Sequence, residues 1–239
     1  MITQPSQSKR LASRTVIGMS QRGHVHRRTQ AISSISTSLR RVAIVSLFVA
    51  GALVGFSGIA IGHEDQVIEY GSFLAGLTHP VLGLDHFLAM VSVGIVSALI
   101  GGRAIWTVPA TFVVMMAVGG IAGYADIGIS TAAVEFGIAT SVILLGAVML
   151  LDRRLDVRVA MLFVAFFGFF HGYAHGQEIP DIAEPAVYAL GFLLGTVLIH
   201  LLGVLFGDIA TRYTYGRIAL RVIGGVFMVI GFLFIVGVM

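Results

Sequence analysis

Runs of apolar residues, each close to the length needed to cross a bilayer, recur along the chain and constrain its fold more than any other feature. An α-helix needs roughly 20 apolar residues to span the hydrocarbon core of a membrane. Six such runs cover residues 80–101, 104–123, 132–151, 157–174, 184–206 and 217–238. Only 11% of the 239 residues are charged, about half of the share found in soluble domains. The sequence therefore predicts an all-α, polytopic membrane protein with six transmembrane helices.

The segment in front of these spans is typical of a targeting sequence. Arg40 and Arg41 precede a further apolar run that ends in Ala60-Ile61-Gly62, as in a secretory signal peptide. Because this run is long, an uncleaved signal anchor is the alternative. The predicted divisions are a basic Ser/Arg-rich leader (1–39), either disordered or the product of a misassigned start, a signal peptide or signal anchor (40–62), and a six-helix transmembrane domain (63–239).

The excess of basic side chains belongs to the leader. Residues 1–62 contain no acidic side chain, and residues 63–239 carry 7 basic side chains against 12 acidic ones, a net charge of −5. A basic surface for nucleic acid is therefore not expected. The chain has no cysteine, which excludes thiolate metal sites. The phosphate-binding pattern GxxxxGK[ST] is also missing, which argues against ATP as a direct energy source.

The loops between the spans alternate in charge. Arginines follow the first, third and fifth spans, whereas the loops after the second and fourth spans, YADIGIST and GQEIPDIAE, carry acids and neither Lys nor Arg. By the positive-inside rule, the arginine-bearing loops are cytoplasmic. His63, which follows the predicted cleavage site, is then external, in agreement with a cleaved signal peptide.

The first span opens with polar residues in apolar surroundings. The stretch THPVLGLDHFLAM contains His79, Asp85 and His86. Proline is favoured in the first turn of a helix, so we expect a helix to begin at Pro80, with His79 and His86 on roughly one face. Gly83 leaves the backbone room to bend. Ionisable residues within a span are costly and by default indicate function.

A second polar set lies at the external end of the fourth span. The stretch FHGYAHG places His171 and His175 four residues apart, and therefore on one helix face, with Glu178 continuing the stripe. Glu135 lies near the external start of the third span, whereas His200 lies some 16 residues into the fifth span and is therefore deeper.

Imidazole combined with carboxylate suits divalent nickel, cobalt or zinc, whereas calcium and magnesium prefer oxygen ligands. Met115 and Met116 in the second span are more readily explained as apolar filling than as copper ligands. The structural alternative for each histidine is a hydrogen-bonded packing residue, and it weighs most for His200. The predicted metal ligands are His79, Asp85, His86, His171 and His175, with weaker support for Glu135, Glu178, His200 and His63.

Four stretches along the spans form a recognisable set: HPVLGLDHFLAM (79–90), GGRAIW (101–106), FHGYAHG (170–176) and YALGFLLGTVLIH (188–200). Together they resemble the HupE/UreJ family of nickel permeases. The resemblance extends over about residues 63–239 and implies a bacterial inner-membrane protein that carries nickel without ATP and accompanies hydrogenase or urease; an organellar membrane is the weaker alternative. It also implies that the five predicted ligands on the first and fourth spans form the metal pathway. The long leader departs from the short one usual in this family.

The expected function is thus non-enzymatic, secondary uptake of Ni²⁺, or alternatively Co²⁺, to supply a metalloenzyme. The metal ion is a substrate rather than a prosthetic group; the expected partners are this ion and the lipid bilayer, and a homo-oligomer is left open. The alternatives are an intramembrane zinc-dependent hydrolase, a membrane metal-binding accessory factor without transport, and a rhomboid-like protease suggested by GFSG at 55–58. The pattern HExxH does not occur, and Ser57 lies in the predicted signal peptide, which disfavours both enzymes. The choice among nickel, cobalt and zinc, and any coupling to protons, stay open.

Overall fold

The computed structural model describes residues 71–180 and 183–238, and the regular elements within them are all α-helices. Five of these helices are long and apolar enough to cross a membrane, and two shorter ones together form a sixth, bent candidate. The predicted all-α polytopic fold is confirmed. The predicted leader, the signal segment and His63 lie outside the described residues. The helices are α1 (Ser72–Leu82), α2 (Leu84–Ile100), α3 (Ala104–Tyr124), α4 (Thr131–Leu151), α5 (Val157–Gln177), α6 (Pro185–Thr211) and α7 (Thr214–Ile235).

The first span is broken at Gly83, where the axes of α1 and α2 differ by 82°. Pro80 lies inside α1 and close to its end, so the prediction of a helix that begins at Pro80, with His79 and His86 on one continuous face, is wrong. The helix begins eight residues earlier because Gly76 in this segment packs directly on the backbone of α6 at Tyr188. Pro80 has no N–H to donate to the carbonyl four residues earlier, so it weakens the last turn of α1, and the helix ends two residues later.

The broken span packs along α6, and its direction can be read from the facing residues. A Cβ atom added to Gly191, Gly195 or Gly203 of α6 would collide with the backbone of α1 or α2, and one added to Gly207 would collide with the Ala98 side chain. The helices therefore approach as closely as glycine permits. The facing pairs are Phe73–Gly191, Leu77–Gly195, Val91–Gly203 and Ile95–Gly207. Both members of the pairs advance together, so the broken span progresses along α6 in the same direction as the α6 chain. A re-entrant loop would instead return to the side from which it started.

The remaining spans pair in directions that fit alternate crossings of the membrane. α3 and α5 are parallel, since Phe112 lies against Gly168 and, two turns on, Gly120 lies against Gly176. α4 and α7 are antiparallel, as shown by the pairs Gly146–Gly224 and Ile143–Gly231. The first and fifth spans thus run in the same direction as each other, so do the second and fourth, and the third and sixth oppose each other.

Close packing of α3 on α5 yields a stability prediction. We expect Gly119→Ala to lower the free energy of unfolding by about 1–3 kcal/mol, because the added methyl group would overlap the Phe169 carbonyl in a packed interface. Gly120→Ala is the matched control: its nearest neighbour, the Gly172 carbonyl oxygen, would lie 3.6 Å away. Alanine there should be neutral or slightly stabilising. Thermal unfolding of the two purified variants in detergent would contradict this packing if both behaved alike.

Candidate metal centre

The outermost part of the site joins the end of α1 to the end of α5 through one carboxylate. Glu178, the residue that follows α5, receives hydrogen bonds at Oε2 from His79 Nε2 at 3.2 Å and from His175 Nδ1 at 3.1 Å. One ligand atom from each of these three side chains lies within 4.8 Å of the others. The Glu178 side chain is 50% exposed, whereas both imidazoles are largely buried. The set therefore opens to the exterior through its carboxylate.

The charge of Glu178 is fixed by the two imidazoles beside it. Partial burial acts to raise the pKa of the Glu178 carboxyl, but the hydrogen bonds from His175 and His79 outweigh it and lower the pKa below its ordinary value. The side chain is therefore an anion over the whole neutral range. An ionised carboxylate at a buried pair of imidazoles provides both a negative charge and an oxygen ligand for a divalent cation.

Two further histidines continue inward from this outer set. The ring centroid of His86, in the first turn of α2, lies 4.2 Å from that of His175 and 5.0 Å from that of His171. His86 is anchored by Asp85, whose Oδ1 accepts hydrogen bonds from the His86 backbone N–H at 2.8 Å and from Nδ1 at 2.7 Å. Just after the break at Gly83, the Asp85 carboxylate and the His86 imidazole thus lie beside α5.

The hydrogen bonds of these inner rings share one pattern. Nδ1 of His86 faces the Asp85 carboxylate, Nδ1 of His175 faces Glu178, and Nδ1 of His171 lies 2.9 Å from the Phe167 carbonyl oxygen. Since carbonyl and carboxylate oxygens only accept, each Nδ1 is the donor. Each neutral ring then keeps a lone pair on Nε2, and all three Nε2 atoms are buried without a hydrogen-bond partner among the described residues. This is the arrangement in which proteins present histidine to a metal ion.

Of the candidates with weaker support, Glu178 belongs to this cluster, whereas Glu135 and His200 lie apart from it. Glu135 is exposed near the start of α4 and, within the described part of the chain, makes no hydrogen bond or ion pair with any of the histidines. His200 is buried on α6, with the ring of Phe112 between it and His171 at centroid distances of 5.1 and 5.3 Å. The five residues predicted with most support are brought together, because α1, α2 and α5 converge at the break.

Two aromatic residues that the sequence analysis did not identify as candidates border the cluster. Phe192 lies 4.3 Å from the ring of His175, and Phe112 contacts His171. Helical spacing offered a signal for Phe192, since it lies two helical turns before His200 on the same face of α6. Phe112 is one of many apolar residues in its span, and nothing in the pattern distinguishes it.

These features define a class of protein: a polytopic membrane protein with a buried cluster of imidazoles and carboxylates where a broken span meets a second helix. The family model described as HupE / UreJ protein matches residues 49–234. Protein HupE of Rhizobium leguminosarum bv. viciae is 38% identical over 206 residues, which are 86% of this chain and 98% of that protein. No solved structure gives a significant match. The chain belongs to the HupE/UreJ family, and the resemblance noted from its motifs is confirmed.

Proposed function

We propose that this protein takes up divalent nickel, or alternatively cobalt, by secondary transport through the cluster of His79, Asp85, His86, His171 and His175. The observation that carries the proposal is the series of buried Nε2 lone pairs on three neighbouring imidazoles, reached from outside through Glu178. Imidazole with a few carboxylates favours nickel, cobalt or zinc over calcium and magnesium. Membership of the HupE/UreJ family supports nickel as the substrate and hydrogenase or urease as the enzyme supplied.

The path begins where the ion exchanges water for protein ligands. Glu178 and the rings of His79 and His175 are close enough to bind one ion together. The last turn of α1, which carries His79, adds the partial negative charge of its terminal carbonyl groups. From this outer position His175 can pass the ion to His86, whose ring lies 4.2 Å away, and His86 can pass it to His171. Stepwise exchange between neighbouring imidazoles avoids a closed cage that would hold the ion too tightly to release it.

Asp85 has two roles in this path. Its carboxylate accepts the hydrogen bond from His86 Nδ1 and so keeps Nε2 free for the ion. Its negative charge also lowers the cost of bringing a divalent cation into the span, where an uncompensated charge is expensive.

The membrane potential is a sufficient energy source for uptake. A potential of 100 mV, negative inside, is worth about 2.3 kcal/mol per elementary charge, hence about 4.6 kcal/mol for a divalent ion. That energy sustains accumulation on the order of a thousand-fold. We infer an inner-membrane location with the arginine-bearing connections in the cytoplasm, because all seven arginines of residues 63–239 lie in the connections α2–α3, α4–α5 and α6–α7 or in the first turns of the helices that follow them. The cluster then faces the extracytoplasmic side.

Transport is tested with the purified full chain in liposomes that contain a nickel-sensitive fluorophore and no nucleotide. We expect nickel entry that rises when a potassium diffusion potential makes the interior negative. Binding of nickel without entry would instead support an accessory metal-binding protein, and metal-dependent hydrolysis of a membrane peptide without entry would support the zinc hydrolase. Either result would overturn the proposal.

The ligand set also predicts which cations compete. In the same vesicles, Co²⁺ and Zn²⁺ in about tenfold excess should reduce the initial rate of nickel entry, because imidazole binds all three ions. Mg²⁺ and Ca²⁺ in about a hundredfold excess should leave the rate unchanged, since they prefer sites built from oxygen ligands. Equal inhibition by magnesium would show that the carboxylates alone select the ion and would contradict a pathway based on histidine.

A further inference from the structure

His200 is a buried imidazole that the outer cluster does not use. Its side chain is 1% exposed on α6. The ring lies near the Thr196 carbonyl one turn earlier, but neither nitrogen makes a hydrogen bond of good geometry with the residues that the structure describes. A buried polar group left in this state costs free energy, and leucine would fill the same space without that cost. Packing alone therefore does not explain a histidine here.

The position of His200 continues the line of the cluster toward the other face of the membrane. The Phe112 ring is the only group that the described structure places in ring contact with both His171 and His200, at 5.3 and 5.1 Å between centroids. His200 lies 15 residues from the start of α6 at Pro185, about 23 Å along the helix axis. His171 lies only six residues from the end of α5 at Gln177, about 9 Å from it. Both of those helix ends belong to the extracytoplasmic side of the proposed orientation, so His200 is the deeper of the two.

The surroundings of His200 differ in charge from those of the outer cluster. Within the described residues, no carboxylate forms an ion pair or hydrogen bond with its ring. Its neighbours are the ring of Phe112 and the turn that carries Thr196, whose hydroxyl lies 3.6 Å from the Met116 sulfur. A lone imidazole without a carboxylate binds a borderline divalent cation more weakly than a mixed site does. Weak binding favours release of the ion on the side of the membrane where it leaves the protein.

We propose that His200 is an inner binding position for the transported cation, which receives the ion from His171 beyond the Phe112 ring and releases it toward the cytoplasm. This inference rests on the proposed transport function and adds a second position to it. Between the two positions the ion moves past the Phe112 ring, and no carboxylate accompanies it there. The ion occupies the inner position only transiently, whereas it is captured at the outer cluster.

The test compares two substitutions at this position in the reconstituted full chain. His200→Leu should reduce the initial rate of nickel entry at least about tenfold, as expected when a metal ligand or its support is lost. His200→Cys supplies another ligand for borderline metals and should retain a rate within about threefold of the unsubstituted protein. The chain has no other cysteine, so the introduced thiol acts alone. Nickel binding measured by equilibrium titration should be unchanged in both variants, because the outer cluster is intact.

The thermal stability of the His200→Leu variant distinguishes a role of His200 in transport from a purely structural role. His200→Leu should unfold at the same or a higher temperature than the unsubstituted protein, since it removes a buried group without good hydrogen bonds. Slower transport together with undiminished stability is the expected result. Normal transport by His200→Leu, equal impairment of the Leu and Cys variants, or a folding defect in His200→Leu would each overturn the inner position. Failure of the proposed function is distinct, because the unsubstituted protein itself would then show no nickel entry.

Discussion

Replacing His175 with leucine is expected to reduce nickel entry into proteoliposomes to the level of protein-free vesicles. His175 is the ring that connects the two parts of the site, at 4.9 Å from His79 and 4.2 Å from His86 between centroids. Without it the outer set loses one of its three ligands, and the next imidazole inward loses its neighbour. Loss of a residue that only supports a metal ligand commonly costs 10- to 100-fold, so we expect loss of the ligand itself to cost at least about 100-fold.

Leucine is chosen at this position because His175 is buried against Phe192 and an apolar side chain fills that space. The variant should therefore fold, which size-exclusion chromatography and thermal unfolding would verify. Gln177→Ala provides a control on the same helix, since the Gln177 side chain is directed to Asp126 rather than to the cluster. A folded His175→Leu variant that transported nickel at the rate of this control would show that the ion does not pass through the cluster.

Asp85→Asn is expected to lower nickel entry by about 10- to 100-fold, the usual cost when the partner of a metal-binding histidine is lost. Asparagine is nearly the same size and can still accept the hydrogen bond from the His86 backbone N–H, so the start of α2 should be preserved. It removes the negative charge, however, and its neutral amide oxygen is a weaker acceptor for the Nδ1 proton. The proton is then held less firmly on Nδ1, so that Nε2 is free for the ion in fewer molecules.

The matched control for this change is Asp208→Asn near the end of α6. The Asp208 carboxylate pairs with Arg212 at the surface, so the same chemical change there should leave transport unaltered. A rate for Asp85→Asn equal to that of Asp208→Asn would mean that neither the charge of Asp85 nor its hydrogen bond to His86 assists the ion. Nickel titrations of both variants would show whether the loss lies in binding or in the later steps.

Most of what could be predicted about the fold came from the lengths of the apolar runs. The helices α3, α4 and α7 lie within a few residues of their predicted spans, because an apolar run of bilayer length has few alternatives to a helix. The break at Gly83 was harder to anticipate, since it depends on tertiary packing. Gly76 and the residues around it extend the helix upstream only because α6 offers glycines against which they can pack. Taken alone, Pro80 suggested the start of a helix, whereas it lies near the end of α1.

The residues that form the candidate site could be predicted from the sequence, but their arrangement within the site could not. Clusters of His, Asp and Glu in apolar spans are costly and therefore conspicuous, which identified both halves. The bridging position of Glu178 between His79 and His175 depends on where α5 ends and on how α1 approaches it. The placement of Phe112 between His171 and His200 depends on the register of three helices. Such relations arise from packing between helices and leave no pattern in one chain.

The most direct test of the central claim is the nickel X-ray absorption spectrum of the purified protein with one equivalent of Ni²⁺. If one ion is bound jointly by α1 and α5, the spectrum should show scattering from at least two imidazole rings together with an oxygen ligand. His79→Leu and His175→Leu should each lower the imidazole contribution, because the two rings belong to different helices and share Glu178. An all-oxygen spectrum, or an imidazole contribution that neither substitution changes, would contradict the proposal that these two helices form one metal site.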